Sequence, residues 1–155
     1  HMDLGERMAA VGGLVDGTQV GALVEAADAT GAERVGLIGF CMGGMYALKA
    51  SGTGRFSRCV AFYGMIRVPE DWQSEGQGEP LEAVTTPGAS PVLAIIGIID
   101  PYTPAGDVDD LEATGAEVVR YEGAEHGFVH DASRPAHRPD DADDAWRRAV
   151  TFLNG

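Results

Sequence analysis

The sequence predicts an α/β domain built on a parallel sheet, and three observations predict it. Short apolar runs recur at 34–40, 58–63, 91–99 and 117–121. Segments with helical spacing lie between most of them, and strands alternating with helices specify βαβ units. The chain has 155 residues, 45% of them hydrophobic, which fits one domain with a real core.

Each element follows from its own pattern. Residues 3–14 suit a short leading helix or an irregular segment, since Gly12 and Gly13 oppose a long one. Asp16–Ala29 reads as a helix, with Val20, Leu23, Val24 and Ala27 on one face and Gly31 as the stop. The run at 34–40 (RVGLIGF) predicts a strand covered on both faces. A helix over 43–50 follows, then strands at 58–63 (RCVAFY) and 91–99 (PVLAIIGII). Val108 and Leu111 mark the inner face of a helix over 104–114, and 117–121 (EVVRY) is the fourth strand. The last helix, 140–153, carries a stripe of Ala142, Trp146, Ala149, Val150 and Leu153. Pro139 and the acids before Arg147 and Arg148 suit its dipole. Residues 66–90 have no strong periodicity, and a connection this long in a small domain is usually functional or mobile.

Charge narrows the partners. Eleven Lys and Arg against 24 Asp and Glu leave a formal net charge of −13. Nucleic acid and anionic membrane surfaces both reward clustered cations, so neither is expected. Cys41 and Cys59 are too few for a disulfide framework, which predicts a reducing, cytoplasmic setting. No apolar run approaches the ~20 residues of a membrane span. His130 and His137 read as surface residues, and no spacing of His, Cys and acids predicts zinc or an EF-hand.

Chemistry concentrates at three points. Gly39-Phe40-Cys41-Met42-Gly43-Gly44 follows the first strand and opens a helix, the context of a nucleophile elbow. Its glycines permit the tight turn, the helix N-terminus favours a Cys41 thiolate, and the Met42 backbone N–H can serve a developing oxyanion. Asp100 ends the third strand, and His126 lies in the loop after the fourth. In a parallel sheet all strand C-termini share one edge, so nucleophile, acid and base converge there. Cys59 lies mid-strand and reads as core. Phe40, Met45, Tyr63, Trp72, Tyr102 and Phe128 are candidates to line an apolar acyl pocket, and Tyr102 and Phe128, which neighbour the acid and the base, are the better ones. Arg67, beyond the second strand, reads equally as a surface residue or an anion-binding group.

RVGLIGFCMGG, VAFYG, PVLAIIGIIDPYTP, EVVRYEGAEHGFVHD followed by SRP, and DDADDAWRRAVTFL together resemble the dienelactone hydrolase (carboxymethylenebutenolidase) family, from about residue 34 to 153. The resemblance implies the α/β-hydrolase fold and an acyl-enzyme route to ester or lactone hydrolysis, with no metal or organic cofactor. It implies Cys41 as nucleophile, His126 as base, Asp100 as its partner and Met42 as oxyanion donor. The sequence departs from the pattern twice. Ile98 and Ile99 precede the acid where family members often have a polar residue. His130 stands where the aromatic-lactone enzymes place an Arg for a substrate carboxylate.

The resemblance also implies strands before residue 34, so the chain reads as the C-terminal portion of such a core, N-terminally incomplete. The strand at 34–40 would then offer an apolar edge. A missing N-terminal fragment or a second copy of the chain would cover it. Two functions follow as expectations: hydrolysis of a small ester or lactone, or an impaired hydrolase-like remnant that associates through its open edge.

Overall fold

A computed structural model describes residues 10–155 of the chain. The first part of the 3–14 segment therefore lies outside the described residues. Four parallel strands, β1 (Gly36–Phe40), β2 (Arg58–Phe62), β3 (Val92–Gly97) and β4 (Glu117–Tyr121), stand in the order β1-β2-β3-β4. The helices are α1 (Asp16–Ala29), α2 (Met42–Ser51), α3 (Pro80–Val84), α4 (Ala105–Ala113) and α5 (Pro139–Asn154).

Alternation along the strands divides the core in two. Cys59 and Ala61 of β2, with Val92, Ala94 and Ile96 of β3, pack with residues of α1, α2 and α4. Val60, Phe62, Leu93 and Ile95 point the other way, toward Ala142, Ala145 and Ala149 of α5. The alanines let α5 lie close to the sheet. The buried stripe is thus Ala142, Ala145 and Ala149, while Val150 is exposed, correcting the phase read from the sequence. Trp146 leaves the stripe to pack its ring on Phe40 and Phe62, at 5.7 and 5.2 Å between centroids.

Two strands differ from expectation. Among the described residues β1 pairs only with β2, so it is a sheet edge and its residues are mostly half-buried rather than covered on both faces. β3 stops at Gly97, because Asp100 N–H turns back to the Gly97 carbonyl at 3.2 Å. Ile98 and Ile99 therefore leave the core and stand 43% and 54% exposed.

The 66–90 connection is folded, with a 3₁₀ turn at Glu70–Trp72 and the short helix α3. Trp72 is buried against Met45, Met65 and Val68, and the Val68 N–H donates to Glu79 Oε2 at 2.9 Å. Lys49 ties this region to α1. Nearly wholly buried, it donates from Nζ to Asp16 Oδ1 at 2.8 Å and to Gln77 Oε1 at 3.3 Å. Asp16 Oδ2 accepts from the Gly78 N–H at 2.8 Å. No helix among the described residues is long and apolar enough to cross a membrane.

Candidate active site

Cys41 links β1 directly to α2 with φ 54° and ψ −122°, a backbone conformation that L-residues rarely adopt. Such strain persists only where neighbours over-determine it. Here Cys41 N–H donates to the Phe62 carbonyl at 3.0 Å, and its carbonyl accepts from Met45 N–H at 3.0 Å. Glycine is required on both sides of the turn. A Cβ on residue 39 would lie 1.9 Å from the Gly43 carbonyl oxygen, and one on residue 44 would lie 2.8 Å from Gly64 Cα. The sharp turn aims Cys41 at the C-terminal edge of the sheet, with the α2 N-terminus behind it.

Asp100 and His126 reach the same edge from the ends of β3 and β4. The His126 Nδ1–H donates to Asp100 Oδ2 at 2.8 Å, and Asp100 Oδ1 accepts from the Tyr102 N–H at 2.8 Å. Both carboxylate oxygens of this buried side chain are thereby satisfied. With Nδ1 committed, Nε2 is the nitrogen left to face Cys41, which lines the same cavity as His126. Tyr63 and Tyr102 set their rings edge-on to the imidazole, at 5.0 and 4.9 Å between centroids.

The electrostatics couple these groups. Burial opposes ionisation of Cys41, but the His126 hydrogen bond and charge and the Met42 backbone N–H outweigh it, so the thiol sits below its ordinary value. Burial likewise pulls His126 down, yet the bonds and charges of Asp100 and Cys41 raise it to about 9. Both shifts run in the direction of thiolate beside imidazolium. Cys59 contrasts with it: burial pushes that thiol up to about 12, which suits the core role read from the sequence.

Cys41 and His126 open into a cavity of about 790 Å³. Met65, Trp72, Ile99, Pro101 and Tyr102 are its large apolar lining residues, and Glu125, His130 and Arg134 contribute polar groups. Tyr102 and His130 thus stand where substrate contact was expected. Phe128 does not. It is fully buried between Tyr63 and Tyr121, at 5.9 and 5.2 Å between ring centroids, and packs the core because its side chain points into the sheet rather than out of the loop. Arg67 pairs with Asp107 at 3.2 Å and Asp110 at 2.6 Å, which makes it a surface residue occupied by its neighbours.

Two lining residues were not singled out in the sequence. Met65 follows the strand-two turn without any motif. Arg134 lies eight residues after His126, and its guanidinium packs so closely that a Cβ on Gly127 would fall 2.8 Å from Nη1. Tyr63, a pocket candidate, proves to be a support: at φ 39° it brings its hydroxyl 2.5 Å from His130 Nδ1.

Comparison with known proteins gives this arrangement a lineage. The model of the dienelactone hydrolase family matches residues 7–155. A Bradyrhizobium sp. protein named "Probable 2-oxo-3-(5-oxofuran-2-ylidene)propanoate lactonase" is 31% identical over 130 residues, covering 79% of this chain and 50% of that protein. A Synechocystis sp. protein named "Putative carboxymethylenebutenolidase" is 31% identical over 122 residues, covering 75% of this chain and 48% of that one. The chain spans about half the length of the curated relatives it matches. A crystal structure of a "Putative Dienelactone Hydrolase" from Klebsiella pneumoniae superposes with a TM-score of 0.79 at 26% identity, covering 90% of this chain and 62% of that one. Parallel sheet, flanking helices and sequence relatives agree, and the chain belongs to the dienelactone hydrolase family.

Proposed function

We propose that the protein hydrolyses a small ester or lactone through a Cys41–His126–Asp100 triad and an acyl-enzyme, without metal or organic cofactor. The observation that carries the reading is the His126 imidazole, held by buried Asp100 and lining one cavity together with Cys41.

The route follows from the protonation states. The Cys41 thiolate attacks the carbonyl carbon, and the Met42 N–H at the start of α2 donates to the oxyanion that forms. Collapse breaks the bond to the alcohol oxygen, which takes the proton of His126. Acylation of the sulfur removes the charge and hydrogen bond by which Cys41 raised His126. Its pKa then falls, and the neutral imidazole can accept a proton from water. That water attacks the thioester, the carboxylic acid leaves, and thiolate beside imidazolium is restored.

Cys41→Ala is the test, with an aryl acetate as substrate. Loss of hydrolysis, together with a wild-type protein whose mass transiently gains one acetyl group, supports the mechanism. Hydrolysis by Cys41→Ala at the wild-type rate excludes it. A free thiolate nucleophile also suits a reducing compartment, which is where we place the protein.

A second reading has one observation in its favour. The outer edge of β1 has no strand partner among the described residues, and such an edge is a template for strand addition by another segment or copy. A monomeric mass in sedimentation at high protein concentration would remove self-association from this reading.

A further inference from the structure

The β3–α4 turn carries a feature that the triad does not use. Ile98, Ile99 and Tyr102 are 43%, 54% and 50% exposed, in a chain of net charge −13 that otherwise exposes few large apolar side chains among its described residues. Ile99, Pro101 and Tyr102 line the same cavity as Cys41 and His126 and form an apolar wall on one short turn, and Met65 and Trp72 add further apolar lining. The turn is well anchored. Ile98 N–H donates to the Tyr121 carbonyl at 3.0 Å, and Ile99 N–H to the Ala124 carbonyl at 3.2 Å, so the isoleucines are presented by a fixed backbone.

Resting on the hydrolase reading above, the geometry points to esters of apolar alcohols as the substrate class, and we infer that Ile99 and Tyr102 form the subsite for the alcohol portion. The side of the scissile bond follows from the proton path. The leaving oxygen must meet His126 to take its proton, and the Tyr102 ring lies 4.9 Å from the His126 ring. Pro101 and Ile99 flank Tyr102 and Asp100 on the same turn. A group attached to the leaving oxygen therefore runs along this wall. Glu125, His130 and Arg134 are the polar lining groups besides Cys41 and His126, and they offer an alkyl or aryl chain nothing.

Two measurements test this on the purified chain. Acetate esters of methyl, butyl and hexyl alcohol are compared by acid release. A chain half covered by the wall gains about twofold per methylene, so kcat/KM rises roughly tenfold or more from methyl to hexyl. In Ile99→Asn, which keeps the backbone bond to Ala124, the hexyl-to-methyl ratio falls to within about threefold. A flat wild-type series overturns the inference, as does an unchanged ratio in the variant. So does a preference that follows acyl length instead.

The second measurement needs no turnover. Alkylation of Cys41 by N-hexylmaleimide and N-ethylmaleimide, each normalised to its rate with glutathione, adds the thiolate across the ring double bond. The wild type favours the hexyl reagent and Ile99→Asn does not. Absence of ester turnover with this reagent preference intact rejects the hydrolase reading, and with it the substrate assignment. Turnover that depends on Cys41, without any chain-length preference, rejects the subsite alone.

Discussion

His126 Nδ1 lies 2.8 Å from an Asp100 carboxylate with no exposed side-chain surface. This contact fixes the imidazole tautomer and leaves Nε2 for the sulfur. It also supplies a large part of the pull that holds the His126 pKa near 9 against the opposing effect of burial.

Asp100→Asn keeps the shape and removes the charge. Nδ1 then faces an amide that also offers a donor, and the ring can turn or change tautomer. Ester turnover should fall by roughly 10²–10⁴-fold. In an NMR titration of His126, its pKa should drop from about 9 toward the ordinary 6.5.

Turnover should be bell-shaped in pH, with the sign of each limb set by one group. As pH falls, the Cys41 thiolate is lost through a value below the ordinary thiol value of 9.0. As pH rises, His126 loses near pH 9 the proton it gives to the leaving alkoxide. In His126→Ala the acid limb of Cys41 alkylation by iodoacetamide should move upward, since burial and the Asp100 charge are then opposed only by the Met42 N–H. An alkylation profile that stays in place removes His126 as the source of the lowered thiol.

Gly39→Ala places a methyl 1.9 Å from the Gly43 carbonyl oxygen, which backbone adjustment alone would have to relieve. A cost above about 3 kcal/mol is expected, with loss of Cys41 reactivity in any folded fraction. Urea unfolding and thiol labelling together check it.

Lys49→Met tests the buried tie between α1 and α2. Asp16 would keep the Gly78 N–H but lose its cation, and breaking a buried pair from one side costs about 3–5 kcal/mol. Asp16 retains 22% side-chain exposure, so a loss nearer ~2–3 kcal/mol is expected in urea unfolding.

The strands were legible because each is a short apolar run closed by polar or glycine residues, and the approach of Cys41, Asp100 and His126 because parallel strands deliver their C-termini to one edge. The β3 end was not. Ile98 and Ile99 extend the apolar run of 91–97 without a break, and only the turn of Asp100 onto Gly97 separates them from the core. Phe128 failed for a related reason, since nearness to His126 in sequence does not settle which way a loop side chain points. The α5 phase was hidden because Ala145 carries little hydrophobic signal beside Trp146 and Val150. The Tyr63–His130 contact joins residues 67 apart through a left-handed tyrosine, a conformation that no pattern in the residues announces.

The strand order has a consequence for how Cys41 and His126 come together. β1 and β4 are opposite edges of the sheet, roughly 14 Å apart at the usual ~4.8 Å strand spacing, yet Cys41 follows one and His126 follows the other. The loop after β4 must lean back across the width of the sheet, over the ends of β3 and β2, to bring imidazole to sulfur. A chain that has paired only some of its strands has Cys41 without His126 near it. Because the second thiol is sealed in the core, acquisition of rapid alkylation during refolding would time the moment when the last strand closes.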